Sequence, residues 1–142
     1  MRVETQLSAF LENKAGALAA LAADLGRHDV NIRGLTIANL TDHAVVRFVV
    51  NDARKALHLL GERGVLVVVS DILAVDMPDR PGALAVVTRQ LARAGVNINY
   101  AYGSVPAVQG EAVVYLHVSD LKKARAALQR LPRRSPRRRR RR

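Results

Sequence analysis

One segment of this chain occurs twice. Asp79-Arg80-Pro81-Gly82-Ala83-Leu84 has a counterpart in Asn13-Lys14-Ala15-Gly16-Ala17-Leu18, 66 positions earlier. The same offset lays Val30-Asn31-Ile32 on Val96-Asn97-Ile98, so a single shift accounts for two separated motifs. Farther on the offset becomes 68 and places Val50-Asn51-Asp52 on Val118-Ser119-Asp120. The two extra residues fall where one copy reads Leu40-Thr41-Asp42-His43 and the other Val105-Pro106-Ala107-Val108-Gln109-Gly110, as a hairpin loop of variable length would give. Two copies of one module follow, and this repetition limits the possible folds more than any property of the whole chain.

With 142 residues in total, each unit is small enough to bury only about 60% of its unfolded surface, so the copies are expected to pack on each other. The boundaries read as residues 3–70 and 71–131, with 132–142 as a tail. The chain has no cysteine, which excludes disulfides, thiolate metal sites and thiol nucleophiles. It has no apolar run near the length of a membrane span and no signal-like start, so a soluble, cytoplasmic protein without a membrane partner is expected. Most of the formal charge of +11 is local: Arg133, Arg134 and Arg137 to Arg142 carry eight of those charges, leaving +3 for residues 1–132. Such a block repels itself and has nothing apolar to bury, so the tail is expected to be disordered.

Within each copy the hydrophobic period alternates between two and three to four. Leu7, Ala9 and Leu11 fall on one face of a strand, as do Leu73, Val75 and Met77. Leu18, Leu21, Ala22 and Leu25 then match Leu84, Val87, Thr88 and Leu91 as a helical stripe. Gly26 and Gly95 are expected to end those helices. Extended runs follow at Ile32 to Ala38 and Ile98 to Tyr102, and again at Ala44 to Val50 and Ala112 to Val118. Asp52 and Asp120 are placed as N-caps of a second helix. Val65 to Val69 gives copy one a last strand, whereas copy two passes from Leu131 to Pro132 and arginines. The order is βαββαβ, an α+β fold with an antiparallel sheet and its helices on one face, the second copy lacking its last strand.

The glycine of the repeated motif sits at a strand-to-helix junction, where backbone can approach a bound group closely. The amides of Gly82, Ala83 and Leu84 lie in the first helical turn, whose N–H groups lack helical partners and carry the positive end of the dipole. A carboxylate suits that place. Asp79 offers the opposite charge to an ammonium, and Asn97 or Asn31 offers both donor and acceptor. A purely structural account uses the same residues: Asp79 caps the helix, Gly82 makes the turn and Asn97 satisfies its own loop.

At these residues the chain resembles the ACT domain, a small ligand-binding regulatory module, over nearly all of residues 3–131. The resemblance rests on Asp79 to Leu84 with Gly95-Val96-Asn97-Ile98, and more weakly on Glu12 to Leu18 with Val30-Asn31-Ile32. Ala15 stands where the family usually has proline and Asp29 where a glycine often precedes Val-Asn-Ile, so copy one is the looser match. The resemblance implies two ferredoxin-like modules side by side, holding an amino acid where the strand-to-helix loop of one faces the second strand of its neighbour. Asp79, Gly82, Ala83, Leu84 and Asn97 are the implied ligand residues, with Asn13, Gly16, Ala17, Leu18 and Asn31 their counterparts. Tyr100 and Tyr102 are either one face of a half-buried strand or a wall of that pocket.

An enzyme is not expected. His28, His43, His58 and His117 fall on different elements and do not recur between copies, and Asp76 with Asp79 lacks a second acidic pair. No cofactor or metal is implied. An RNA-binding module shares the strand and helix order but carries stacking aromatics on its central strands. Here only Tyr115 points away from the helices, which leaves the arginine tail as the route to RNA or DNA. The partners expected are an amino acid, an enzyme of amino-acid metabolism, and a second copy of the chain. The homodimer is expected because Phe10, Val45, Val49, Val113 and Tyr115 would form an apolar face opposite the helices, and because the strand Leu73 to Met77 would have an unpaired edge.

Overall fold

Alternating and helical periodicities become elements in the expected order: β1 (Arg2–Glu12), α1 (Ala17–Arg27), β2 (Ile32–Asn39), β3 (His43–Val50), α2 (Ala53–Glu62), β4 (Leu66–Pro78), α3 (Ala83–Arg93), β5 (Ile98–Ser104), β6 (Glu111–Val118) and α4 (Leu121–Gln129). The computed structural model describes residues 1–104 and 109–132. Most of the β5–β6 loop and the arginine tail lie outside the described residues. No described helix is long and apolar enough to cross a membrane.

Helix boundaries follow local chemistry. Asp52 and Asp120 cap α2 and α4, accepting from the N–H of Lys55 (3.1 Å) and Lys123 (2.9 Å), a contribution of about 1 kcal/mol each. Gly95, at φ +71°, ends α3 as expected. Gly26 does not end α1, which continues to Arg27; the left-handed position falls on Asp29, at φ +58°. Asp29 is the residue that the offset of 66 places on Gly95, so the backbone kept the turn while the side chain changed. The apolar stripe of α3 also differs from expectation. Ala83, Val87 and Leu91 face the core at four-residue spacing, and Leu84, one position round the helix, is 49% exposed. In α1, Leu21 and Leu25 are buried with Leu18 against them, whereas Ala22 is exposed.

Each copy builds its own core between a helix pair and one face of the sheet. Leu7, Ala9, Val46 and Phe48 pack under Leu21, Leu25 and Leu60. Leu73, Val75, Met77 and Leu116 pack under Val87, Leu91 and Leu128. Each fully buried leucine or phenylalanine among these contributes about 1.5–3 kcal/mol.

β4 serves both copies without a break. Its first part pairs with β1, from Leu66 opposite Phe10 to Ala74 opposite Arg2, and its second part with β6, from Leu73 opposite Leu116 to Pro78 opposite Glu111. Among the described residues copy two has no last strand of its own, but the edge beside Leu73 is not bare. Val3 and Arg2 of β1 pair with Leu73 and Ala74, and only Val75 to Pro78 extend beyond them. On the far side β2 meets β5 antiparallel at Gly34 and Ser104, where the Ser104 hydroxyl donates to the Arg33 carbonyl. The six strands thereby close in the order β1-β3-β2-β5-β6-β4.

The two modules, expected side by side with their helices on one face, instead close into a barrel that has both helix pairs outside. The face expected to be wet is its interior. Val45 (8% exposed), Val49 (1%) and Tyr115 (1%) are buried within one chain, with Val113 half-buried against them, and of that set Phe10 alone stays at 36%. These residues therefore need no second chain to cover them. Gly34 makes the closure possible: a Cβ there would lie 2.5 Å from Cε2 of Tyr115.

Candidate ligand site

Both motif glycines hold left-handed backbone directly ahead of a helix, Gly16 at φ +88° and Gly82 at φ +85°. A Cβ at either would meet nothing within 4 Å. The space above these loops is open, and the glycines are required by the dihedral rather than by crowding. Neither helix receives a side-chain cap. That removes the capping role for Asp79, which is exposed and anchors its loop through its backbone N–H to the Gly110 carbonyl at 2.9 Å. Asn13 makes the equivalent contact to Asp42 at 3.3 Å, and its side chain reaches the Leu40 carbonyl at 3.5 Å. Of the neighbouring positions, Ala83 is buried, Ala17 and Leu18 are half-buried, and Leu84 faces solvent.

The two asparagines also repeat one arrangement. The Asn31 N–H donates to Asn51 Oδ1 at 2.9 Å while its carbonyl accepts from the Asn51 N–H at 3.1 Å. Asn97 is braced identically by Ser119, at 2.9 Å in both directions. Backbone groups do this work, which leaves the Asn31 amide exposed and the Asn97 amide donating to Asn99 Oδ1 at 3.0 Å.

Register decides which of these residues can meet. Pro78 pairs with Glu111 at one end of β6, and Asn97 is bound to Ser119 just past the other. At about 3.3 Å per residue the two ends are roughly 25 Å apart. Asp79 and Asn97, expected to share one ligand, are therefore at opposite ends of their own sheet. The antiparallel seam regroups them. Counting from Gly34 opposite Ser104, Asn31 lies toward the end where Asp79 and Gly82 stand, and Asn97 lies toward the β2–β3 turn, beside which Asn13 and Gly16 stand.

Tyr100 belongs with the second group and points into the barrel. Its ring stacks on His117 at 4.7 Å, with the Arg47 guanidinium 4.3 Å from its centre. Its hydroxyl accepts from Gln6 Nε2 at 2.6 Å, and Tyr102 donates to Gln6 Oε1 at 2.8 Å. Gln6 is fully buried and also donates to Ser70 at 3.2 Å. Burial pushes the Tyr102 phenol well above its ordinary range. Sequence reasoning had no place for Gln6 or Arg47. The signal was their position: both lie on the strand face that carries the apolar Val45, Val49 and Tyr115, where solvent-facing polar residues are out of place.

The chain matches the family model for the ACT domain pair over residues 1–130. It belongs to that family. Among solved structures, protein BT0572 from Bacteroides thetaiotaomicron is similar, with 35% identity and a TM-score of 0.83 over 89% of this chain and 87% of that one. The ligand-free regulatory subunit of aspartate kinase from Thermus thermophilus shares the fold at a TM-score of 0.68 and 17% identity, over 90% and 91% of the two chains. A comparison with curated protein sequences gives no match. In this ACT pair the register places the two repeated glycine motifs toward opposite ends of the β2–β5 seam.

Proposed function

We propose that this ACT pair is a non-catalytic sensor of an amino acid, bound where the glycine loop of one copy meets the second strand of the other. At one end the amides after Gly82 take the carboxylate, Asp79 takes the ammonium, and Asn31 supplies the opposite wall. At the other, Gly16, Ala17 and Leu18 supply amides, with Asn13 on their side and Asn97 and Tyr100 across the seam. The observation that carries this reading is the pair of left-handed glycines with open space above them, each at the positive end of a helix. Both halves of each site come from one chain, so a homodimer is not needed to complete them. The partner expected is an enzyme of amino-acid metabolism in the cytoplasm. A regulatory subunit of aspartate kinase with the same fold illustrates the type. RNA stacking is disfavoured because Tyr115 is buried inside the barrel.

A thermal-shift screen against the twenty amino acids tests the proposal. A cognate ligand at 100 times its dissociation constant stabilises by about 2.7 kcal/mol, roughly 5–10 °C for a chain of this size. Asp79→Ala and Asn31→Ala should abolish the same response, whereas Asn97→Ala should leave it and affect the other end. The absence of any shift at millimolar concentrations would overturn binding altogether.

A further inference from the structure

A cleft of ≈ 860 Å³ opens on the side of β4 away from the β2–β5 seam. Its floor is Val75, Met77, Val87 and Leu128, the margin of the second core. Its position has a counterpart in copy one. There the last strand, Leu66 to Ser70, lies along β1 from Phe10 to Gln6, and Val67 and Val65 pack onto the first core. Among the described residues no strand of copy two takes that place. Val3 fills the start of the groove, pairing with Leu73 and packing on the second core, and Arg2 ends the pairing at Ala74. Val75 to Pro78, held by β6 on one side, present their other edge to the cleft.

Charge narrows the choice of occupant. Among the described residues lining the cleft are Arg2, Arg80, Arg125 and the amino terminus, against one carboxylate, Asp76. Arg2 already holds Asp76 at 2.9 and 3.0 Å. Arg80 and Arg125 are left over as cations beside an apolar floor. A basic segment has the wrong sign to lie there. A second copy would offer Leu66 to Ser70, the other apolar stretch of β4, which carries no acidic residue.

We propose that this groove docks an extended, acidic segment of a partner protein, which adds as a strand to the edge at Val75 to Pro78, places alternate apolar side chains on the floor, and sets its carboxylates against Arg80 and Arg125. Pro78, which has no N–H, limits the pairing to about one short strand.

Fluorescence anisotropy on the full chain tests this with three labelled octapeptides: alternating valine and glutamate, alternating valine and lysine, and the first with a central proline. The Val–Glu peptide should bind. The lysine peptide should not, and the proline peptide, with unchanged charge, should be about tenfold weaker because it breaks edge pairing. Arg80→Glu with Arg125→Glu should weaken the Val–Glu peptide about tenfold while leaving the far-ultraviolet spectrum unchanged. Equal binding of the Val–Glu and proline peptides, or binding that survives the double reversal and disappears on removal of residues 133–142, would assign the interaction to the tail and overturn the proposal. Failure of the Val–Glu peptide to bind at millimolar concentration would also overturn it. So would sedimentation of a dimer that Val86→Asp dissociates, since a second copy would then occupy the groove.

Discussion

Position 34 and position 100 are the same site of the repeated module, yet one is glycine and the other tyrosine. Both follow a register shift at the start of a second strand, between Ile32 and Gly34 in β2 and between Ile98 and Tyr100 in β5. The backbone is conserved between the copies while the volume of the side chain is moved from one to the other. A tyrosine at position 34 would run into Tyr115, whose ring already lies where its Cβ would point. The two copies therefore differ where their strands meet: one lacks a side chain there and the other supplies the rings that fill its place. The motif loops differ in the same manner. Asp79 offers a charge where Asn13 does not, and Pro81 stiffens a loop that Ala15 leaves free.

Ligand response should break this comparison most strongly. Gly82→Val places a branched side chain on left-handed backbone and covers the approach to the loop, so the stabilisation of about 2.7 kcal/mol by a cognate amino acid should vanish. Gly16→Val carries the same backbone penalty but sits in the loop that has Asn13 in place of Asp79, and should leave that response in place. Melting curves of the two variants with and without ligand measure the difference. Equal loss in both would mean that one ligand needs both loops.

Next in size is the interior. Gly34→Ala must displace the Tyr115 ring from 2.5 Å, an overpacking cost of about 1–3 kcal/mol. Gln6→Leu is of similar size, because it strands the hydroxyls of Tyr100 and Tyr102 without their partner. Adding Tyr115→Phe to Gly34→Ala should give little relief, since the clashing atom is a ring carbon; adding Tyr115→Leu should give more. Urea midpoints would check the order, and a Gly34→Ala protein as stable as the wild type would contradict the packed barrel.

A pH effect of intermediate size follows from Tyr102, whose phenol burial pushes upward. The unfolded chain loses this proton near pH 10.0, whereas the folded chain keeps it. Stability is thus complete below about pH 10 and falls as pH rises beyond it. Tyr102→Phe should flatten the fall but not abolish it, because burial raises Tyr115 as well. Urea midpoints measured between about pH 9 and 12 would read the slope; identical slopes in the wild type and Tyr102→Phe would remove Tyr102 as its source.

Much of this architecture was legible because repetition and periodicity are local. The caps Asp52 and Asp120, the strand faces and the order of elements follow from spacing alone. Barrel closure was not legible. Glu4, Gln6 and Ser8 share a β1 face with Phe10, the face expected to need a second chain, yet Gln6 is fully buried and Ser8 is 9% exposed within one chain. Nor does composition indicate that Leu66 to Pro78 is one strand, because Ser70-Asp71 reads as a break between copies. The site residues were recognised one by one from the motif. Their grouping across the seam depended on register, which only the paired strands supply.

The smallest effect concerns the turn that precedes each asparagine, and it tests whether the copies are energetically equivalent where their backbones agree. Asp29 at φ +58° and Gly95 at φ +71° occupy the same left-handed position. An L-residue there costs about 1–2 kcal/mol, less for aspartate, which tolerates this region. Glycine in turn loses about 0.5–1 kcal/mol of backbone entropy on folding. Asp29→Gly should therefore stabilise slightly, by about 0.5 kcal/mol, or roughly 1–2 °C in melting temperature. Gly95→Asp should destabilise by a similar amount, so that the double exchange returns close to the wild type. The Asp29 carbonyl accepts from the Asn51 side chain at 3.4 Å, a backbone contact that the substitution keeps. Equal and opposite shifts in calorimetry would mean that the turns differ only in their side chains. If Asp29→Gly instead destabilised the fold, the Asp29 side chain would have to make a contribution larger than the strain it carries, and copy one would be the better adapted turn despite its departure from the motif.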